Sequence, residues 1–253
     1  MTLRLEKDGP VARLLIDRPS RRNAMTHAIW DALPALVGDA MADEGVRVLI
    51  LASATPGLFC AGADIDEFAD LAGQDLWRAA NQAAIRASQY ALAHAHKPVI
   101  AAIDGDCVGG GCGLAIACDL RVAAPTARLG ITAARLGIVY SLFDTKLLVD
   151  LVGPARAKRI LFTGALLSAE TSLSIGLIDE VAADPLAAAD ALARTIAGNA
   201  QHSVRSSKAI VRRILDGQAD DDATTLAWFR DAFTLPDFTE GVAAFRAKRR
   251  PNF

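Results

Sequence analysis

Residues 99–119 read VIAAIDGDCVGGGCGLAIACD, and this stretch decides the fold. It combines a short apolar strand, a bend, three consecutive glycines and an apolar helix. Glycine loses more backbone freedom on folding than any other residue, so three in a row need a physical reason. Either a ligand approaches bare backbone amides at Gly109–Gly111, or the helix packs very close to a neighbour, and the sequence leaves both explanations open. Neither the Walker ending nor the dinucleotide G-x-G-x-x-G spacing is present, which disfavours ATP and NAD.

Another glycine-containing turn lies earlier in the chain, so we call it the first turn and the one at Gly109–Gly111 the second turn. Residues 57–65 read GLFCAGADI, after a β-rich run and before acidic residues that begin a helical stretch. Backbone N–H groups at a helix start stabilise negative charge, which favours an anion or oxyanion site. A tight loop in which Asp64 caps the helix explains the segment equally well.

Periodicity on either side of these turns predicts an α/β core followed by a helical tail. Short β-rich runs are predicted at 11–16, 46–51, 99–103 and 120–123, with helices at 24–42 and 76–95 between them. Connections of this length suit parallel strands joined by helical crossovers. From residue 141 onward helices are predicted at 141–152, 155–163, 168–175, 185–199, 201–215 and 220–233.

Composition excludes several classes of protein. The 253 residues are 52% hydrophobic and 22% charged, and 27 basic against 29 acidic side chains give a net charge of -2. A chain so balanced has no bulk positive field for nucleic acid or anionic lipid. The charged N-terminus and the absence of a long apolar run predict a soluble cytoplasmic protein with no membrane partner. The four cysteines lack paired C-x-x-C spacing, and the four histidines (His27, His94, His96 and His202) lack ligand spacing, so neither disulfides nor a metal site is expected.

The two turns, Ala61–Asp64 (AGAD) and Gly109–Cys112 (GGGC), occur in an order that resembles the crotonase superfamily, the enoyl-CoA hydratase/isomerase family. Further similar segments are spread over essentially the whole chain, at 18–24, 97–101, 162–164, 176–181 and 245–253. The resemblance implies an α/β fold built as a ββα superhelix of repeated units, with a C-terminal helical trimerisation region. We therefore expect residues 1–195 to form the core with the acyl-CoA site, and residues 196–253 to serve assembly and complete that site.

The resemblance also implies an oxyanion hole made of two backbone amides, assigned by position to Ala61 and Gly110. Such amides would bind the carbonyl oxygen of an acyl-CoA thioester and favour its enolate, because negative charge develops on that oxygen during reaction. An acyl-CoA enzyme acting as a lyase or isomerase is the function implied, with no cofactor beyond the CoA moiety of the substrate.

The family pattern places CoA contacts in three regions of the chain. Arg21 and Arg22 are candidates for the nucleotide end, although two loop arginines are commonly just solvated. Phe245 and Lys248 come from the tail, often of a neighbouring subunit. The remaining candidates lie in the first turn, apart from Ala24, which comes soon after Arg21 and Arg22. They are Ala24, Ala61, Gly62, Ala63, Asp64 and Ile65.

Assembly follows from the same resemblance, since family members are usually trimers or dimers of trimers. Leu226, Phe229 and Phe233 form an apolar stripe at helical spacing. The stripe either serves such a homo-oligomer or covers the chain's own core, and the sequence does not decide between them.

Two positions depart from the hydratases of the family. Those enzymes carry two glutamates that hold water and move a proton, whereas this chain has Gly113 and Ala133 at the corresponding positions. Two-glutamate hydration is therefore disfavoured, and a non-hydratase reaction is expected.

A nearby segment offers a replacement. Residues 135–144 (RLGIVYSLFD) resemble, in part, the methylmalonyl-CoA decarboxylase branch, which carries histidine where this chain has Ala63. Tyr140 could supply a proton after loss of carbon dioxide from a small malonyl-type CoA, or be a half-buried aromatic bonded to the backbone. Ser141 and Asp144 suit helix capping, and Asp144 is the best placed carboxylate should a base exist.

Two further functions stay open at this point. Loss of both glutamates also fits a pseudoenzyme that binds acyl-CoA without turnover. RNA binding would need a basic stripe of Arg205, Lys208 and Arg212 on one helix, and nucleic acid is not an expected partner, since such stripes are usually solvated faces.

Overall fold

The computed structural model describes residues 2–253, and its strands form a six-stranded and a three-stranded sheet. The strands are β1 (Leu3–Asp8), β2 (Val11–Ile16), β3 (Val48–Ser53), β4 (Val99–Ile103), β5 (Cys107–Val108), β6 (Leu120–Ala123), β7 (Arg128–Gly130), β8 (Leu167–Ser168) and β9 (Glu180–Val181). The large sheet has the order β1-β2-β3-β4-β6-β9. Only its β1–β2 pair is antiparallel, so the predicted parallel crossovers are confirmed.

Ten α-helices connect and cover the strands. They are α1 (His27–Ala42), α2 (Ile65–Leu71), α3 (Asp75–Ala93), α4 (Gly110–Ala117), α5 (Leu142–Thr163), α6 (Ala169–Ser174), α7 (Pro185–Ala197), α8 (Gln201–Leu215), α9 (Ala223–Ala232) and α10 (Pro236–Arg246). The helices predicted at 141–152 and 155–163 follow one another in α5, and the predicted break between them is confirmed by Gly153, whose φ of 75° and ψ of 165° are non-helical, before Pro154. Helix α10 was not predicted. Within residues 2–253, none of the helices is both long and apolar enough to cross a bilayer.

Strands β2, β3 and β4 of the large sheet are buried on both faces, which explains why they do not alternate with polar residues. On one face α1, α3, α4 and α5 enclose a core that includes Trp30 and Leu33. On the other face α7 places Ala189, Ala193 and Ala197 against strand residues such as Ile50. Alanines at this spacing let the helix lie close to the sheet.

The small sheet determines where the glycine-rich turn lies. Strand β5 leads directly into α4, and it pairs with β7 in parallel while β7 pairs with β8 antiparallel. The amide of Gly109 donates to the carbonyl of Gly130 at 2.8 Å. The start of α4 is thus held against β7 of the small sheet.

The expected boundary between core and tail, after residue 195, falls within α7 and stays a prediction. A division after residue 195 cuts the last turn of α7, and the alanine at position 197 of that helix packs on the sheet. The break between the two helices lies at residues 198–200, where α7 has ended and α8 has not begun.

The basic stripe of α8 is not the solvent-facing surface that RNA binding would need. Lys208 donates to Oδ2 of Asp119 at 2.7 Å and to the carbonyl of Lys97 at 2.9 Å, and Arg212 lies 3.5 Å from Asp150. Their side chains are only 12% and 16% exposed. The stripe is directed at the α/β core, which removes the observation on which the RNA-binding alternative rested.

The apolar stripe of α9 is exposed. Leu226, Phe229 and Phe233 are 55%, 70% and 53% exposed, and Phe233 stacks edge-on with Phe238 of α10. Of the two interpretations, coverage of the chain's own core is therefore wrong. The role in assembly stays a prediction.

Candidate active site

The two glycine-containing turns lie edge to edge. Val108 donates its amide to the carbonyl of Cys60 at 3.0 Å, and the amide of Cys60 donates to the carbonyl of Asp106 at 3.1 Å. The first turn is held on its other side by Met25, which donates to Gly62 and accepts from Asp64. The backbone between residues 60 and 64 is consequently clamped between α1 and the start of α4.

Close packing explains part of the glycine run. A Cβ atom on Gly111 would lie 2.4 Å from the carbonyl oxygen of Cys60, and one on Gly62 would lie 2.7 Å from that of Val108. Gly62 and Gly109 also have left-handed φ angles of 98° and 54°. The helix-packing explanation from the sequence is thus confirmed for Gly111.

The free amides are not the predicted pair. The amide of Ala61 donates to the carbonyl of Arg22 at 3.0 Å, so it is not available to a ligand. Among residues 2–253 the amides of Ala63 and Gly110 have no acceptor. A Cβ on Gly110 would lie 3.6 Å from the nitrogen of Ala63, so the two free donors are neighbours. Ala61 is therefore wrong as a free donor and Ala63 takes its place beside Gly110, while an oxyanion hole made by these two amides stays a prediction.

Asp64 caps α2, as one of the two interpretations held. Its Oδ1 accepts from the amides of Asp66 and Glu67 at 3.1 and 3.3 Å, and its Oδ2 accepts from Arg18 at 2.6 Å. Burial acts to raise the pKa of this carboxyl, but the bonds from Arg18 and the two amides hold it below its usual value. These three hydrogen bonds tie the carboxylate to Arg18 and to the start of α2, and a CoA contact at Asp64 stays a prediction.

At Gly113 two other side chains fill the space. A Cβ at this position would lie 2.3 Å from Nε2 of Gln89 and 2.7 Å from the hydroxyl of Tyr140. Ala133, the other departure from the hydratases, is buried at the start of a 3-10 turn over residues 133–135. The structure therefore has neutral polar groups where a carboxylate would stand.

Tyr140 directs its hydroxyl at the start of α4. The hydroxyl donates to the carbonyl of Gly109 at 3.2 Å, so the predicted hydroxyl–backbone bond is confirmed. Burial, followed by the nearby Asp144, raises the pKa of this phenol above its ordinary range. Tyr140 is thus a protonated phenol at neutral pH, hydrogen-bonded to the residue that precedes Gly110.

Asp144 lies in the first turn of α5, one turn after Tyr140. Ser141 caps this helix by accepting from the amide of Asp144 at 3.1 Å, and its hydroxyl donates to Oδ2 of Asp144 at 2.8 Å. Oδ1 is buried without a partner among the described residues. Burial raises the pKa of the carboxyl, against the effects of Ser141 and Arg86. Capping is confirmed for Ser141, and Asp144 is a buried carboxyl biased toward its neutral form.

Sequence reasoning missed two side chains at this site, Trp30 and Gln89. A Cβ on Gly110 would lie 2.9 Å from Cζ2 of Trp30, whose indole nitrogen is buried with no acceptor in the described chain. Gln89 is 1% exposed on α3, on a face that it shares with Ser88 and Leu92. The sequence offered one signal for Gln89, since a glutamine stands at an otherwise apolar position of a helical pattern.

A basic cleft of about 250 Å³ opens beside the first turn. Arg22 and Ala61 line it, together with Asp106 and Arg128. Asp106 accepts from both arginines, at 2.7 Å from Nη2 of Arg128 and 2.5 Å from Nη2 of Arg22. These bonds, with Arg128 first, hold the pKa of Asp106 below its usual value. Arg22 thus lies where a nucleotide site was expected, and Arg128 was missed.

The other predicted contacts are more scattered. Arg21 is exposed and paired with Asp66 at 2.7 Å, at the rim of the first turn. The carbonyl of Ala24 accepts from Arg18, and the Ile65 side chain is 52% exposed.

Within one chain the tail is not brought to the glycine turns. Phe245 is 85% exposed and borders a separate cleft formed by α8, α10 and the chain end, and Lys248 is exposed nearby. Across residues 2–253 there is also no group of three His, Cys, Asp or Glu side chains that could hold a metal ion.

Comparisons with known proteins agree on one family. The sequence model of the enoyl-CoA hydratase/isomerase family matches residues 6–253. A crotonyl-CoA hydratase of Syntrophomonas wolfei is 36% identical over 98% of this chain and 96% of its own length. A short-chain-enoyl-CoA hydratase of Clostridium acetobutylicum is 34% identical over 97% of this chain and 95% of its length. An enoyl-CoA hydratase/isomerase family protein from Hyphomonas neptunium superposes with a TM-score of 0.96 at 39% identity, covering 100% of this chain and 97% of that chain.

Proposed function

This chain belongs to the enoyl-CoA hydratase/isomerase family and has its crotonase fold, and from that premise we propose the reaction that its site supports. It is an acyl-CoA enzyme, and we propose that it stabilises a thioester enolate without two-glutamate hydration. The curated relatives are named hydratases, so the proposal departs from those names because of Gly113 and Ala133.

The amides of Ala63 and Gly110 support the enolate part of the proposal. Both donors lack a partner among residues 2–253 and lie next to each other, and Gly110 opens α4, whose N-terminus carries partial positive charge. A thioester oxygen bound there would gain stabilisation as it becomes an oxyanion. One such donor is typically worth about 10²- to 10³-fold in rate.

The occupied space at Gly113 is the observation that carries the non-hydratase part. Any side chain there would meet Gln89 and Tyr140 at 2.3 and 2.7 Å. Adding water to a conjugated double bond needs a base to take a proton from that water. The groups that face this position are an amide and a phenol whose pKa is raised, and neither is a base at neutral pH.

Decarboxylation of a small malonyl-type CoA fits these groups. The bond between the α-carbon and the carboxylate breaks, carbon dioxide leaves, and the bonding electron pair forms the enolate whose oxygen the two amides bind. Tyr140 then turns its hydroxyl hydrogen from the carbonyl of Gly109 to the α-carbon, gives up that proton and recovers one from water. These steps require neither a cofactor beyond the CoA moiety of the substrate nor a base.

Product analysis tests the proposal. Purified protein is incubated with malonyl-, methylmalonyl- and crotonyl-CoA, and the products are followed by mass spectrometry. We expect loss of carbon dioxide from a malonyl-type ester and no hydrate from crotonyl-CoA. Hydration of crotonyl-CoA would overturn the proposal. Binding of all three esters without any product would instead support an acyl-CoA-binding pseudoenzyme.

We also propose that the chain assembles as a homotrimer or a dimer of trimers. The exposed aromatic face of α9 and α10 supports this, as does the exposure of Phe245 and Lys248, which would be available to complete a neighbour's CoA site. Sedimentation of the purified protein measures the assembly, and a monomer at micromolar concentration would contradict it. A cytoplasmic location stays a prediction.

A further inference from the structure

Gln89 is a buried amide whose hydrogen-bonding capacity the described chain leaves unused. The side chain is 1% exposed, and neither Nε2 nor Oε1 has a partner among residues 2–253. Leaving a buried polar group unpaired is costly, so buried amides of this kind normally have a partner. The proposed reaction gives Gln89 no role.

The position of Gln89 is fixed by α4. Its Nε2 lies 2.3 Å from the point where a Cβ of Gly113 would stand, and the hydroxyl of Tyr140 lies 2.7 Å from the same point. Gly113 follows Gly110 by three residues, which is about 4.5 Å along a helix axis. If the thioester oxygen binds at Gly110, the amide of Gln89 therefore faces a substituent near the third carbon of the acyl group.

Unpaired hydrogen-bond donors of two side chains lie around this position. Nε2 of Gln89 offers two hydrogens, and Nε1 of Trp30 offers one beside Gly110. Tyr140 already uses its hydrogen on the carbonyl of Gly109. An acyl group with a plain alkyl chain would leave the donors of Gln89 unpaired, whereas an oxygen at the third carbon would accept from them.

We propose that Gln89 is a specificity-determining residue that selects acyl-CoA esters carrying an oxygen acceptor on the third carbon of the acyl group. A carboxylate, as in a malonyl-type ester, and a hydroxyl share this chemistry. The inference rests on the proposed function insofar as it takes the thioester to bind at Ala63 and Gly110.

Binding measurements test the proposal separately from turnover. The affinities of butyryl-CoA and 3-hydroxybutyryl-CoA are measured by calorimetry, and that of malonyl-CoA by stopped-flow fluorescence before turnover. We expect the hydroxyl ester to bind about three- to tenfold tighter than butyryl-CoA, and malonyl-CoA about tenfold or more, as for hydrogen bonds to neutral and charged acceptors. Gln89→Leu should remove these preferences and leave the affinity for butyryl-CoA within about twofold.

A second variant tells the two oxygen classes apart. Gln89→Glu keeps the size of the side chain but replaces the donors with an anion. Malonyl-CoA should then lose more affinity than the hydroxyl ester, because a hydroxyl can donate to the new carboxylate while a carboxylate is repelled. The ester that the wild-type protein binds most tightly shows whether the preferred oxygen belongs to a carboxylate or to a hydroxyl group.

Asn81→Leu is the matched control. Asn81 is another buried amide of α3 whose Oδ1 lacks a partner in the described chain, eight residues or about 12 Å before Gln89. The Asn81→Leu variant should leave the preference for an oxygen on the third carbon of the acyl group unchanged. Thermal unfolding of each variant checks folding, and should Gln89→Leu fail to fold, the wild-type preferences and Gln89→Glu carry the test.

The outcomes separate this inference from the proposed function. If the three esters bind wild type equally, or if Asn81→Leu changes the preference as much as Gln89→Leu does, the role of Gln89 is overturned while the enolate site stands. If none of the esters binds, the proposed function itself fails.

Discussion

Helices α2 and α4 begin at neighbouring glycine-containing turns, yet their first amides have different fates. At α2 the side chain of Asp64 accepts from two of the helix's free amides, and Arg18 neutralises the carboxylate. At α4 the N-cap is Gly109, which has no side chain to offer, and the amide of Gly110 is left without an acceptor in the described chain. One helix start is satisfied by its own chain, and the other is open to a ligand.

This difference shows how the fold separates stability from binding. The capped start of α2 holds the backbone of residues 61–64 in place, so that the amide of Ala63 lies beside that of Gly110. Rigid support from one turn preorganises the donors of the other, which is what oxyanion stabilisation requires.

The largest effect is expected from Gly111→Ala, which would push the two turns apart. The new methyl would lie 2.4 Å from the carbonyl oxygen of Cys60, and backbone cannot rotate away as a side chain can. We expect a loss of about 3 kcal/mol or more in the free energy of unfolding, at the upper end of overpacking effects. Denaturant titration measures it.

Gly38→Ala is the control, since Gly38 lies in α1 with nothing near its missing Cβ. It should stabilise the protein by about 0.5 to 1 kcal/mol. Equal stability of the two variants would contradict the close approach of the turns.

Next in size is Asp64→Asn, which keeps the cap but removes its charge. Loss of the charge-assisted bond to Arg18 should reduce the free energy of unfolding by about 2 kcal/mol at pH 7. Because the folded pKa of Asp64 is lowered, its contribution is present above about pH 4 and is lost as pH falls through the folded value. The gap between wild type and variant should shrink on acidification, and a gap that is constant with pH would argue against the ion pair.

Tyr140→Phe tests the open helix start. Removing the hydroxyl takes away the proton donor while the amides of Ala63 and Gly110 remain, so turnover should fall more than about tenfold, at the lower limit for general acid catalysis. Affinity for CoA esters should hold. Steady-state kinetics and calorimetry on the same preparation measure the two quantities, and unchanged turnover would retire the catalytic role of Tyr140.

Asp144→Asn should give the smallest effect, with a pH dependence opposite to that of Asp64→Asn. The folded pKa of Asp144 is raised, so its neutral form contributes stability below about pH 4 that is lost as pH rises through the folded value. Relative to wild type, the variant should therefore gain stability between about pH 4 and 7. A relative loss over that range would show that the ionised carboxylate is stabilised by a partner such as Arg86.

Local pattern was sufficient for much of the fold. Strands 11–16, 99–103 and 120–123 and helix 201–215 were predicted with their observed ends, because apolar runs or an amphipathic period are bounded there by turn residues. Helix α10 was missed although Phe238, Val242 and Phe245 follow helical i, i+4, i+7 spacing, because its sequence PDFTEGVAAFR also carries a proline and a glycine, which usually mark turns.

The site was less readable because it depends on contacts between distant residues. Whether Ala61 or Ala63 has a free amide is decided by the carbonyl of Arg22, some 40 residues earlier, and no local motif records that bond. Similarly, Gly113 was recognised as a missing carboxylate, but that Gln89 fills the space follows only from the packing of α3 on α4.

Asp106 holds Arg22 and Arg128 side by side at the mouth of the basic cleft. The two guanidinium groups are thereby held in place before a ligand binds. The negative charge of Asp106 cancels one of their two positive charges. A simple inorganic anion would find little attraction there. A larger ligand with several phosphates, able to contact both guanidinium groups at once, would find them already held in position by Asp106.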